Sequence, residues 1–185
     1  MKKLAPYIPV VAVLVMVAIV EYINGRVFIC KCGYVKLWHG VVYSSENSQH
    51  IADWYSLSHI IHGFIFFGLC WLLLRKWAFA WQLLMATAVE GAWELFENSA
   101  FIINRYREAT ISLDYFGDSI INSVSDMGFM ILGFSIAAKL PWRITVTTAI
   151  IMELLALYVI RDNLSLNVLM LLYPVETIKT WQAGA

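Results

Sequence analysis

Apolar and polar positions along this chain alternate in long blocks and not residue by residue. Five apolar runs, Leu4–Ile23, Leu57–Leu74, Trp77–Phe96, Asp118–Ala138 and Ile144–Ile160, each approach the length a helix needs to cross a hydrocarbon layer. Backbone groups in lipid must be satisfied within the segment, so these runs predict an all-α bundle of about five transmembrane helices in a single domain. The exit of the first run, Val20-Glu21-Tyr22-Ile23-Asn24, has no small-x-small cleavage site, and it reads as a retained span. Asn24–Ser56 is too polar to insert and long enough to fold over a membrane surface; its His39 and His50 read as surface histidines. Arg75 and Lys76 end the second run and the third starts at once, which makes the pair an antiparallel hairpin. Asn98–Gly117 reads as a polar connection. Leu164–Trp181 has an apolar run of only about ten residues, too short to span, and predicts an interfacial helix or a re-entrant piece.

Composition sharpens the class. At 61% hydrophobic residues over 185 positions, with a mean hydropathy of +0.70, the chain is far more apolar than a soluble domain. Formal net charge is zero and no Lys/Arg stripe is present, which excludes nucleic acid as a partner and leaves membrane lipids. The short segments Met1–Lys3, Arg75–Phe79 and Lys139–Arg143 hold two cations each of the 13 in the chain. The positive-inside rule then predicts a multi-pass protein of the bacterial inner membrane, its N-terminus cytoplasmic and its long loops and C-terminus periplasmic.

The polar residues inside the runs carry the chemistry. Glu90, Glu94 and Glu97 lie at i, i+4 and i+7, so one helix face holds all three. Counting back from the outer end of the third span puts Glu90 roughly 10 Å inside, and counting in along the fourth puts Asp126 roughly 12 Å inside, below Asp118 and Asn122. His59 and His62 occupy the first turns of the second span from the same side, and Glu153 sits roughly 10 Å from the outer end of the fifth. Ionisable groups sorted into the outer half of a membrane mark a water-filled pocket for a ligand, proton or ion. The alternative is structural, with the carboxylates hydrogen-bonded to Ser58, Trp93, Asn122 and Ser125 as glue between helices.

The candidate catalytic set is therefore His59, His62, Glu90, Glu94, Asp118 and Asp126. Imidazoles and carboxylates suit a divalent metal such as zinc, manganese or iron, for which His59, His62, Glu94 and Asp118 are the candidate ligands. H-x-x-H is not H-E-x-x-H, so acid–base catalysis without metal stays open beside it. No G-x-S-x-G is present; Ser58 beside His59 is the nearest thing to a nucleophile. Cys70 reads as a packing residue. Cys30 and Cys32 leave three states open: a local disulfide, two thiols, or a soft-metal site.

Four stretches, CGYVKLWHGVVYSSENSQHIADWYSLSHIIHGF, EGAWELFENS, RYREATISLDYFGDSIINSVSDMGF and YVIRDNLSLNVLML, resemble an alphaproteobacterial multi-pass membrane family known as a domain of unknown function. The resemblance runs roughly from Arg26 to Trp181 and implies a location and a topology class but no activity. A remoter resemblance is to VanZ-like inner-membrane proteins. Residues His59 and His62, Glu90 with Glu94, and Asp118, Asn122 and Asp126 fill the matching places, which implies a shared site and no particular chemistry. Three readings follow: a pocket that binds or modifies a lipid or envelope precursor, a small proton-coupled carrier, or a non-catalytic accessory subunit.

Overall fold

The computed structural model describes residues 5–110 and 114–184, so Lys2, Lys3 and the Leu4 start of the first run lie outside the described residues. Among these, eight helices and no strand are present, in keeping with a helical membrane bundle. After a 3-10 turn at Ala5–Tyr7 come α1 (Ile8–Ile23), α2 (Ser56–Leu73), α3 (Phe79–Glu97) and α4 (Ala100–Ala109). They are followed by α5 (Ile120–Ala137), α6 (Trp142–Ile160), α7 (Leu164–Leu172) and α8 (Glu176–Gln182).

Among the described residues, four helical stretches are long and apolar enough to cross a membrane: Ala5–Ile23, Ser56–Leu73, Ile120–Ala137 and Trp142–Ile160. The third predicted run is the exception, and its reason is geometric. Helix α3 is as long as the others, but it packs against α1, α2 and α5 with its polar residues Gln82, Thr87, Glu90 and Glu94 buried. Its outward stripe, Trp81, Met85, Val89 and Phe96, is apolar and exposed. Such an inside-out helix scores as polar although the surface it presents is not.

Helices α2 and α5 make the closest contact of the bundle, and glycine permits it. A Cβ on Gly63 would run into the Met130 carbonyl oxygen and the Phe134 amide nitrogen, and one on Gly133 into the Ile60 carbonyl oxygen. Small residues let helix backbones approach where no hydrophobic effect drives them together. At one end of the bundle, Val10, Cys70, Leu83, Ala86, Met130 and Phe134 form an apolar core. Gln82 closes the α2–α3 turn by donating from Nε2 to the carbonyls of Leu74 and Trp77. Polar side chains concentrate at the other end.

Three elements depart from the sequence reading. Asn98–Gly117 is not merely a connection, because Ser99 caps α4 by accepting from the Ile102 amide. Leu164–Trp181 folds as two short helices, α7 capped by Asn163 and α8, and both return over the polar end of the bundle. His39 and His50 are buried and not surface residues, since the 24–55 loop wraps inward around Glu46. Cys30 and Cys32 are joined as a disulfide and Cys70 is a buried free thiol.

Candidate functional site

Two helices meet at Glu90. Its carboxylate is fully buried and accepts from both imidazoles of α2: His59 Nδ1 lies 2.6 Å from Oε1, and His62 Nδ1 lies 3.1 Å from each oxygen. The i, i+3 spacing on α2 brings both rings to one carboxylate, edge to face, with centroids 5.3 Å apart. An ionised carboxylate only accepts, so each Nδ1 carries the hydrogen and each Nε2 is left for another partner. On α5, Asp126 Oδ2 lies 3.8 Å from His59 Nε2, beyond hydrogen-bond reach but close enough to pair with an imidazolium. Asp126 is held in turn by the Ser56 hydroxyl, which donates to Oδ1 at 3.0 Å.

These groups open on a cavity of about 300 Å³. Of the six residues the sequence nominated, His59, His62, Glu90, Asp118 and Asp126 line it. Glu94 stands one layer behind, 3.6 Å from His59 Nδ1, with its buried Oε1 unbonded. The nominated metal set changes. The ligand atoms that converge belong to His59, His62 and Glu90, all within 4.8 Å of one another. Asp118 is committed elsewhere, accepting from Asn98 Nδ2 and the Tyr115 hydroxyl, each at 3.0 Å.

Nor do the polar neighbours follow the expected pairing. Ser125 turns back to its own helix, donating to the Ile121 carbonyl, and Asn122 donates to the His50 carbonyl to tie the loop to α5. Glu153 is not in the cavity. It caps α7, accepting from the Leu164 amide and from the amide and hydroxyl of Ser165.

The structure adds groups that spacing did not disclose. Tyr55, Tyr106 and Tyr115 form a phenol roof over the polar end. Tyr106 donates to Glu97 at 2.8 Å and faces Asn167 of α7, while Tyr55 donates to Asp162. Burial first, and then the carboxylate facing each, pushes all three phenols well above their ordinary range, so they stay neutral O–H donors. Glu21, at the end of α1, is a further buried carboxylate, reached by Asn98 Nδ2 at 3.3 Å. Its signal was available in the sequence as an acid at a span end with no cation beside it. Apolar side chains line the same cavity: Phe66, which stacks on His62 with centroids 5.8 Å apart, Val89, Trp93, Leu164 and Val168, with Val89 and Val168 exposed on the outside of the bundle.

Residues 21–184 match a family described as a protein of unknown function, DUF2585. The chain belongs to the DUF2585 family. Its relatives include a UPF0314 protein of Sinorhizobium fredii, 56% identical over 186 aligned residues that cover 99% of this chain and 94% of the relative. A UPF0314 protein of Paracoccus denitrificans is 53% identical over 183 residues, covering 99% and 95%. One of Brucella anthropi is 55% identical over 175 residues, covering 95% and 89%. No solved structure matches. The DUF2585 match begins at the buried Glu21 and takes in every residue that lines the cavity.

Proposed function

We propose that this chain is an inner-membrane protein whose cavity binds an amphiphilic lipid or envelope precursor and acts on its head group. The observation that carries the reading is the mixed lining. Two imidazoles share a buried carboxylate and three neutral phenols line the same space, together with apolar Phe66, Val89, Trp93 and Val168, of which Val89 and Val168 are exposed on the outside of the bundle. A water-soluble ligand has no use for an apolar side door, whereas an acyl chain enters by one. In the bilayer the N-terminus faces the cytoplasm, and the roof with the 24–55 loop faces the periplasm.

The chemistry that suits this end is hydrolysis or group transfer. Glu90 fixes both imidazoles through Nδ1, the orientation that frees Nε2 as a base, and Asp126 faces the His59 Nε2 so that an imidazolium formed there is stabilised. The same three ligand atoms would hold a divalent metal once their protons leave, and such an ion would supply Lewis-acid polarisation of a head-group oxygen. Metal content of the purified protein distinguishes the two forms: stoichiometric metal lost in both H59A and E90A supports the metal, and a metal-free active protein removes it.

The test of function is a lipid profile of a deletion strain complemented with wild type or with H59A. A species that accumulates in the deletion and persists with H59A, but disappears with wild type, is the expected result. An unchanged profile contradicts the enzymatic reading.

A further inference from the structure

A second cluster of ligating side chains lies in the 24–55 loop; none of the four lines the cavity, and the inference is independent of the reading given to it. Cys30, Cys32, Glu46 and His50 each offer one atom, and all four atoms fall within 4.8 Å of one another. Cys30 and His50 are buried, while Cys32 and Glu46 are half-exposed. We propose that the Cys30–Cys32 disulfide is the closed form of a redox-gated zinc site, in which the two thiolates, His50 and Glu46 bind the ion when the bridge is reduced.

The hard half of such a site is already assembled. His50 Nε2 lies 3.0 Å from Glu46 Oε2, close to the separation of about 3.3 Å between neighbouring ligands of tetrahedral zinc, given bonds of about 2.0–2.1 Å. The Lys36 amide donates to His50 Nδ1 at 3.2 Å, so the resting neutral ring carries its hydrogen on Nε2 and donates it to Glu46; ligation through Nε2 moves that hydrogen to Nδ1 and gives up the Lys36 bond. Tyr34 stacks its ring on His50, centroids 5.8 Å apart, and donates its hydroxyl to Glu46. Gly33, at φ 84°, closes the turn after Cys32 with its amide donating to the Cys30 carbonyl. Only the sulfurs must move, from bonded contact to about the 3.8 Å spacing of two thiolates on one zinc at about 2.3 Å.

Charge balance favours the same ion. Two thiolates and one carboxylate carry three negative charges, a divalent cation leaves one, and Lys36, whose Nζ sits 2.6 Å from Glu46, neutralises it. The chemistry balances as follows: a dithiol reductant gives two electrons and two protons, its own sulfurs bond, and the Cys30–Cys32 S–S bond breaks. Binding of the ion then releases the two thiol protons. The half-exposed Cys32 is the sulfur such a dithiol can reach.

The test uses the full chain in detergent micelles, reduced with a phosphine and titrated anaerobically with cobalt(II) as the spectroscopic probe. The expected result is one cobalt per chain with a thiolate-to-cobalt charge-transfer band and tetrahedral d–d bands, absent before reduction and displaced by zinc. C30S abolishes the two-thiolate spectrum, and H50A and E46Q, with helix content unchanged, weaken binding on the order of tenfold or more. H59A/H62A leaves the band intact, which separates this site from the cavity. The proposal is overturned if the reduced, folded chain gives no charge-transfer band, if H50A and E46Q bind as wild type does, or if reduction itself removes the helix signal.

Discussion

Glu90→Gln and Glu94→Gln are the same chemical change one helical turn apart, and the structure gives them opposite consequences. Glu90 is the shared acceptor for two imidazoles at 2.6 and 3.1 Å. Hydrogen bonds to a charged group contribute about 1.5–3 kcal/mol each, and removing one partner of a buried pair costs about 3–5 kcal/mol. A glutamine keeps one acceptor oxygen but turns an amide N–H toward a ring that already donates, so E90Q is expected to lose about 3 kcal/mol. Glu94 is equally buried, yet its Oε1 has no hydrogen-bond partner and its nearest imidazole nitrogen is 3.6 Å away. Removing a buried and poorly matched carboxylate is expected to be neutral within about 1 kcal/mol or stabilising. Unfolding in mixed SDS micelles, followed by tryptophan fluorescence at fixed pH, measures both on one scale. Equal costs, or a larger cost for E94Q, would refute the reasoning that assigns the imidazoles to Glu90.

Other expectations concern the frame around the site. G63A drives a methyl group into the backbone of α5 and is expected to cost at least about 1–3 kcal/mol, whereas G68A, with open space around it, is neutral or gains up to about 1 kcal/mol in the same assay. Burial holds the Asp162 carboxyl up at about 6, against 3.8 ordinarily, while it accepts from Tyr55 and Gln182. A raised folded-state value means that this group's contribution is full below pH 3.8 and is lost as pH rises through about 6, a swing of at most about 3 kcal/mol. D162N abolishes that swing, so wild type should lose melting temperature relative to D162N between pH 4 and pH 7; a constant difference contradicts it. E153A removes the acceptor of the first two α7 amides, leaves the Asn163 cap in place, and is expected to speed hydrogen exchange at Leu164 and Ser165 by about tenfold, with exchange in α2 unaffected.

The sequence disclosed those parts of the site that depend on periodicity and depth. Glu90 and Glu94 share a helix face by spacing, and His59, Glu90 and Asp126 meet because each lies a few turns in from the same ends of α2, α3 and α5. What it did not disclose depends on chain reversals. Glu153 looks like a further acid at the right depth, but α7 turns back onto it and claims both oxygens. Helix α4 was missed because its buried side, Ile102, Ile103, Tyr106 and Ala109, is short and interrupted by Asn104 and Arg105; its one clear signal is the Ser99 cap. His39 and His50 look like surface residues in a polar loop, and only the inward fold around Glu46 buries them. Burial pushes the His39 imidazole below its ordinary value, with the neighbouring Lys36 adding to the effect.

An amphiphile seated in the cavity would set its head group against the imidazole cluster and its chain against Val89 and Val168. Native mass spectrometry of the detergent-extracted chain, wild type against Val89→Trp, addresses it directly, because Val89 lines the cavity from an exposed position where added bulk fills the space with little effect on the core. The expected result is one lipid-sized adduct retained by wild type through activation that strips annular lipid, and its loss in V89W. Wild type without a retained adduct, or an adduct kept equally by both, would contradict it.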